Sequence, residues 1–410
     1  MARGFMEVAR KGRGRRHPVR FRAGQSAGDG GHGRLTPVQQ IAYTRVILSR
    51  VRSSTAEPAS FIARALHRRL PDRIRGAGTL YLWLRRGRTA LRVARRLGAT
   101  GREHDFIDSC ARIPLGEDDV QACMAELCSA LSEAEVLETR ALFVPGDGIP
   151  ALPDFARMTS LHALDVLARS GWLIDQLAEG RLVSFFHPIV HAEDTDRVFA
   201  HEALLRGVER DGSIIAPQPI LTLAREAGLL SEVDSAACRS AIREAARQRP
   251  DMCVFINFSP AAIRDPEAHL NATVQAIEEA ALPRDRVVFE VTEADRYGDT
   301  PRLQQVLNAY RRAGFRVALD DLGAGWSTLN LVHRVRPEFI KLDRELIRDV
   351  HDDPVKALIA RKLLEIGQAM GIGTIVEGIE QEAELSWVRD HGAHFVQGFL
   401  LGQPSPVVRT

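Results

Sequence analysis

Seven short apolar runs in the C-terminal half of this 410-residue chain each end near a side chain that can bind a cation, donate a hydrogen bond or move a proton. In order these are Glu202, Asn257, Glu290, Asp320 with Asp321, Lys341, Glu377 and Gln397. Taken singly, an acid after a strand reads as a solvated loop residue or a helix N-cap. The recurrence of such groups at the same end of successive runs does not fit that reading. Carboxylates brought together repel one another and are driven towards protonation unless cations sit among them. Five of them converging therefore predict bound metal. The donors are oxygens of Glu and Asp and the amide of Asn257, with neither Cys nor His in the set, which suits Mg²⁺ or Mn²⁺ better than Zn²⁺. His201 adjoins Glu202 on a strand, so the two face opposite sides.

The tandem Asp320-Asp321 lets one carboxylate bridge two ions while the other binds the second ion, the arrangement that paired metals use in phosphoryl chemistry. Lys341 is one of only four lysines in a chain that otherwise chooses arginine. A compact ammonium there suits the orientation of a water and the stabilisation of charge growing on a phosphate. Arg206 can hold a phosphate oxygen in its fork, and Gly323 and Gly325 permit a loop with close backbone approach to a ligand.

Positioning these groups requires a scaffold that presents strand ends side by side. Runs over Leu182–Ile189, Val198–Leu205, Met252–Asn257, Arg286–Val291, Phe315–Asp320, Glu338–Leu342, Gly373–Glu377 and His394–Gln397 are separated mostly by helical patterns. Eight strands alternating with helices predict an α/β fold of the TIM-like (β/α)8 barrel type, with its site at the C-terminal ends of the strands. Only about eight residues separate the first two runs, too few for a parallel crossover. The first strand is thus expected antiparallel to the second, giving an irregular barrel.

Upstream, residues 1–36 are Arg- and Gly-rich without hydrophobic period and read as a disordered, solvated basic arm, with Met6 as an alternative start; nucleic-acid binding by this arm is not expected. Helices are expected over Pro37–Val51 and Pro58–Leu70. A small α/β accessory domain of βαβαβ order, part of a unit spanning 37–146, follows: strands Thr79–Leu84, Cys110–Leu115 and Thr139–Val144, with helices Arg88–Leu97 and Asp118–Leu131. A linker and connecting helix, 147–180, carry Leu164, Leu167, Ile174 and Leu177 on one helical face. The barrel is assigned to 181–410. Formal net charge is +2 and charged residues make up 26% of the chain, an ordinary soluble composition. Five scattered cysteines without metal spacing and no apolar run long enough to span a bilayer point to a cytoplasmic protein.

The quoted residues resemble the EAL-domain family of cyclic di-GMP phosphodiesterases over about residues 181–406. The signature stands as Glu202-Ala203-Leu204-Leu205-Arg206, followed by Asn257, by Glu290-Val291-Thr292-Glu293, by Asp320-Asp321-Leu322-Gly323-Ala324-Gly325 and by Lys341, Glu377 and Gln397. The resemblance implies hydrolysis of cyclic di-GMP to linear pGpG with two Mg²⁺ or Mn²⁺ ions. It implies Glu202, Asn257, Glu290 and Asp320 as ligands of a first ion, Asp320 and Asp321 at a second, and Glu377 as a metal or water partner. Lys341 would be the catalytic lysine. His187, Leu204, Arg206 and Gln397 would face the substrate, Glu293 would brace the loop after Asp321, and the barrel would pair as a homodimer. Two departures stand out: His187 where the family often has Gln, and Leu322 where the loop usually has Phe. The reading from another class is a barrel that binds cyclic di-GMP or a protein partner without cutting; such members lose metal ligands or the lysine, and this chain keeps them.

Overall fold

The computed structural model describes residues 70–409 apart from 72, 75, 86, 147, 249–250, 261–262, 264, 292–299 and 324–327. The expected arm over 1–36, the two N-terminal helices save Leu70, Glu293 and Gly325 lie outside the described residues.

Two sheets organise the described chain. The first contains β1 (Gly78–Trp83), β2 (Asp105–Ile107), β3 (Cys110–Leu115), β4 (Arg140–Pro145) and β5 (Thr159–Ser160) in the order β2-β3-β1-β4-β5, with helices α1 (Arg88–Thr100), α2 (Asp119–Ala130) and α3 (Glu133–Glu138) between strands. Every pairing is antiparallel. Leu80, Leu82, Ile113 and Phe143 on one face pack against Val93 and Leu97 of α1 and Met124 and Leu127 of α2. The expected βαβαβ order is present, but β2, β5 and α3 were not anticipated because each is too short to show a period.

The connecting segment differs from the single helix expected. It forms α4 (Leu161–Arg169) and α5 (Gly171–Ala178), broken at Ser170. Ser170 is buried and its hydroxyl bonds back to the Val166 carbonyl at 2.6 Å, while Gly171 follows; both weaken helix continuity.

The second sheet closes. Its strands are β6 (Leu182–His191), β7 (Val198–Val208), β8 (Ile214–Ile215), β9 (Cys253–Asn257), β10 (Val287–Val291), β11 (Arg316–Leu322), β12 (Phe339–Leu342), β13 (Gly373–Val376) and β14 (Phe395–Val396). Seven of them, β7 and β9–β14, run parallel; β6 pairs antiparallel with both β7 and β14 and completes the barrel, as the short first connection required. β8 is a short addition on β7. Around the barrel run α6 (Pro217–Glu226), α7 (Leu230–Gln248), α8 (Pro266–Glu279), α9 (Thr300–Arg312), α10 (Thr328–Val335), α11 (Arg344–Ile347), α12 (Pro354–Met370) and α13 (Glu382–Asp390).

Strand alternation sorts the side chains. Outward residues such as Val254, Phe289, Leu319, Ile340 and Val376 meet the helices. Inward, Ile189, Ala200, Cys253, Phe255, Val288, Ala318, Phe339 and Ile375 form an apolar plug. Each parallel strand places its polar group two residues beyond a plug residue or its neighbour Phe395: Ala200 then Glu202, Phe255 then Asn257, Val288 then Glu290, Ala318 then Asp320, Phe339 then Lys341, Ile375 then Glu377, Phe395 then Gln397. β6 runs the other way, so His187 precedes Ile189. The polar layer therefore rests on a dry floor, where charges interact strongly.

Candidate active site

Lys341 stands at the centre of this layer, 1% exposed, with its ammonium 2.5 Å from Glu377 Oε1, 2.9 Å from Glu290 Oε1, 3.3 Å from Glu202 Oε2 and 3.4 Å from Asp320 Oδ1. Burial opposes its charge, but the surrounding Asp320, Glu202, Glu290 and Glu377 hold its pKa well above the usual lysine value.

Glu202, from β7, is the best-satisfied acid. It accepts from Asn257 Nδ2 at 2.9 Å and from Gln397 Nε2 at 3.0 Å. Burial pushes its pKa up, yet Lys341, these two amides and His187 outweigh burial and bring it down to about 2. Asn257 gives its nitrogen to Glu202, which leaves its carbonyl oxygen as the atom available to a cation. Glu290 is the opposite case: it is fully buried beside Lys341, neither carboxylate oxygen accepts an aligned hydrogen bond from the described residues, and burial lifts its pKa well above normal against the pull of Lys341. Burial likewise raises Asp320, takes Glu377 to about 8 and, with Asp320 adding repulsion, takes Asp321 to about 6.

Asp320 and Asp321 would face opposite sides on a regular strand. The pairing of β11 with β12 slips between Leu319 and Leu322, and Asp321 adopts a left-handed backbone with φ 58°. This bulge turns both acids to one side, where Asp320, Asp321 and Glu377 each bring a ligand oxygen within 4.8 Å of the others. Asp is among the few residues that tolerate this conformation. Gly323, with φ 112°, follows at the start of the loop.

These residues fit divalent cations. Five carboxylates against one ammonium leave four negative charges when all are ionised, the charge of two divalent ions, and among the described residues Glu290 Oε2 has no hydrogen-bond partner. The ligands are oxygens throughout.

The remaining expected residues sit at the rim. His187 lies directly across the β6–β7 ladder from Glu202, but its Nε2–H donates to the Gly402 carbonyl at 3.0 Å, and burial lowers its pKa. Leu204 and Arg206 share the face of Glu202 by alternation. The Arg206 guanidinium lies 5.3 Å over the Phe185 ring and donates to the Leu205 carbonyl at 2.8 Å rather than reaching the acids. Gln397 is 2% exposed and joins the ligand layer through Glu202 instead of the rim. One supporting residue went unnoticed in the sequence. Glu384, 1% exposed, accepts from the backbone N–H groups of Asp349, Glu380 and Gln381 and so holds the loop after Glu377; the Gln381 to Glu384 capping-box spacing was the available signal.

Residues 171–404 match the family model described as the EAL domain. An uncharacterised protein of Sinorhizobium fredii is 31% identical over 56% of this chain and 28% of its own length, and the cyclic di-GMP phosphodiesterase PdeR of Escherichia coli is 28% identical over 50% of this chain and 32% of its own. This chain thus spans about three tenths of those relatives. Among solved structures, a standalone versatile EAL protein from Vibrio cholerae in its c-di-GMP bound form is 29% identical, with a TM-score of 0.51 over 56% of this chain and 94% of that one.

Proposed function

This chain belongs to the EAL-domain family, and on that premise we propose that it hydrolyses cyclic di-GMP to linear pGpG using two divalent ions, Mg²⁺ or Mn²⁺. The observation that carries the proposal is the gathering of Glu202, Glu290, Asp320 and Glu377 around Lys341, with Asn257 bonded to Glu202 and Asp321 grouped with Asp320 and Glu377. A receptor that only binds the dinucleotide has no use for five carboxylates gathered around a single ammonium, because the charge left over after Lys341 is costly to bury unless further cations balance it.

Glu202, Asn257, Glu290 and Asp320 would hold one ion, and Asp320, Asp321 and Glu377 the other. When bound, such ions act as Lewis acids on the phosphate and make water a stronger acid. The chain itself supplies the rest. Lys341 Nζ holds a fixed positive charge where negative charge grows on the phosphate oxygens. Glu377 Oε1, beside it, accepts the proton that water gives up. Water adds across one P–O bond, leaving the phosphate on one ribose and a hydroxyl on the other. Arg206 and Leu204, on the same face as Glu202, would take the dinucleotide along β7.

We further read the first sheet, with its own core, as an accessory and regulatory domain. Self-association through the barrel is supported by Val355, Leu358 and Ile359, exposed along one face of α12. Incubating the purified protein with cyclic di-GMP and Mg²⁺ or Mn²⁺, then separating the products, tests the function. Appearance of pGpG that stops with a chelator supports it; tight binding with no pGpG in either metal assigns the barrel to the receptor class.

A further inference from the structure

A second polar cluster lies outside the barrel wall, behind β9. Asp234 on α7, His269 on α8 and Tyr310 on α9 are all buried: the side chains of His269 and Asp234 are 8% and 11% exposed, and Tyr310 is fully covered. Asp234 Oδ1 accepts from the Ser259 backbone N–H at 3.2 Å. Its other oxygen faces His269 Nε2 at 3.4 Å, a contact without hydrogen-bond alignment, and His269 Nδ1 lies 2.7 Å from the Tyr310 hydroxyl. The chain of contacts thus starts on three outer helices and ends on the backbone two residues past Asn257.

Buried polar groups cost more than apolar ones of the same shape unless they do a job. Tyr310 already packs its ring on Phe258, Phe289 and Phe315, so a phenylalanine would serve the core as well. Asn257 needs outside support. Its residue is exposed and, among the described residues, its side chain bonds through Nδ2 to Glu202, which fixes the amide plane only if the backbone beneath it is fixed too. Phe258 N–H is tied to the Glu290 carbonyl at 3.0 Å, and the next N–H, of Ser259, is the one Asp234 takes.

We propose that Asp234, His269 and Tyr310 form a positioning network that fixes the segment after β9 and thereby aims the Asn257 carbonyl oxygen at a divalent cation. The proposal rests on the metal-binding reading of the site. Asp234 sets the backbone, His269 packs its ring edge against the Asp234 carboxylate, and Tyr310 holds the His269 ring. None of the three touches substrate or ion.

The test is Mn²⁺ affinity of the full chain, read as loss of the free-ion electron paramagnetic resonance signal, beside the thermal midpoint of the metal-free protein. Wild type must first bind Mn²⁺; if it does not, the metal reading itself fails. Outer partners of metal ligands typically change affinity by 10–100-fold, and because this one acts through the backbone, Asp234→Ala is expected to weaken binding by about tenfold. Asp234→Asn, which keeps an oxygen for Ser259 N–H, should recover to within about threefold of wild type by the same reasoning. Wild-type affinity in Asp234→Ala, or equal loss in Asp234→Ala and Asp234→Asn, overturns the network. Should Asp234→Ala fail to fold, Tyr310→Phe decides: weaker Mn²⁺ binding with an unchanged midpoint supports the network, and unchanged binding sinks it.

Discussion

Asp320 and Asp321 are consecutive on one strand and yet present their carboxylates to the same cavity, because a bulge and a left-handed Asp321 cancel the alternation that would part them. The proposed second cation position depends on that local distortion. Asp321→Asn keeps a residue that accepts φ 58° and an oxygen ligand, but removes the charge. Losing one ion's Lewis-acid contribution, worth several kcal/mol, lowers kcat by at least about a hundredfold. Asp321→Ala should add a backbone penalty of about 1 kcal/mol that appears in the thermal midpoint as well. Steady-state kinetics and thermal melts of the two variants separate the effects.

Lys341 is surrounded by acids, and a neutral replacement would remove the charge proposed to face the phosphate. Lys341→Ala is expected to lower kcat by at least about 10²–10³-fold, the range for removing one preorganised electrostatic group. Glu202→Ala should abolish turnover through loss of a ligand. Far-ultraviolet circular dichroism of both should remain that of a folded barrel. Unfolding in both would assign these residues to the scaffold.

The raised carboxylates set a pH dependence of known sign. Glu377 titrates near 8 and Asp321 near 6 in the folded, metal-free site, against about 4.5 and 3.8 when unperturbed. The folded state therefore binds more protons than the unfolded state between those values, and stability contributed at low pH is lost as pH rises through the folded pKa values. Glu202, near 2, and Lys341, far above neutrality, do not titrate in this window. The metal-free protein should melt at a lower temperature at pH 8.5 than at pH 5.5, and saturating Mn²⁺ should reverse the difference. Affinity for Mn²⁺ should increase from pH 6 to pH 8 as protons leave the ligands. Glu377→Gln should flatten the melting profile; a profile identical to wild type contradicts the assignment.

Gly398 follows Gln397 at the point where the chain passes under the loop after Glu377. A Cβ there would lie 2.1 Å from the Ile379 carbonyl oxygen and 2.3 Å from its nitrogen, both backbone atoms that cannot turn aside. Gly398→Ala should destabilise by about 1–3 kcal/mol, as overpacking does. It should also weaken Mn²⁺ binding, because Gln397 and the Glu377 loop are tied there through Ile379 N–H to the Gln397 carbonyl. Differential scanning calorimetry and a metal titration measure the two effects.

Much of the barrel and its polar layer was legible because one rule, alternation along strands, governs both the floor and the groups above it. Ala200 with Glu202 and Phe339 with Lys341 are local pairs that any reader of the sequence can see. What escaped has long-range causes. No local pattern marks the slip that turns Asp321, the break at Ser170 or the antiparallel order of the first sheet. Arg206 settles over Phe185, a partner chosen by the β6–β7 register rather than by spacing. Asp234, His269 and Tyr310 come from three helices and share no motif at all.

The account depends most on where cations bind. Anomalous diffraction from crystals of the full chain equilibrated with Mn²⁺ measures that directly. Two peaks are expected, one among Glu202, Asn257, Glu290 and Asp320 and one among Asp320, Asp321 and Glu377, with Lys341 withdrawn from the space between them. Crystals saturated with Mn²⁺ that show no peak within this ring, and Lys341 still bound to its four acids, would contradict the account.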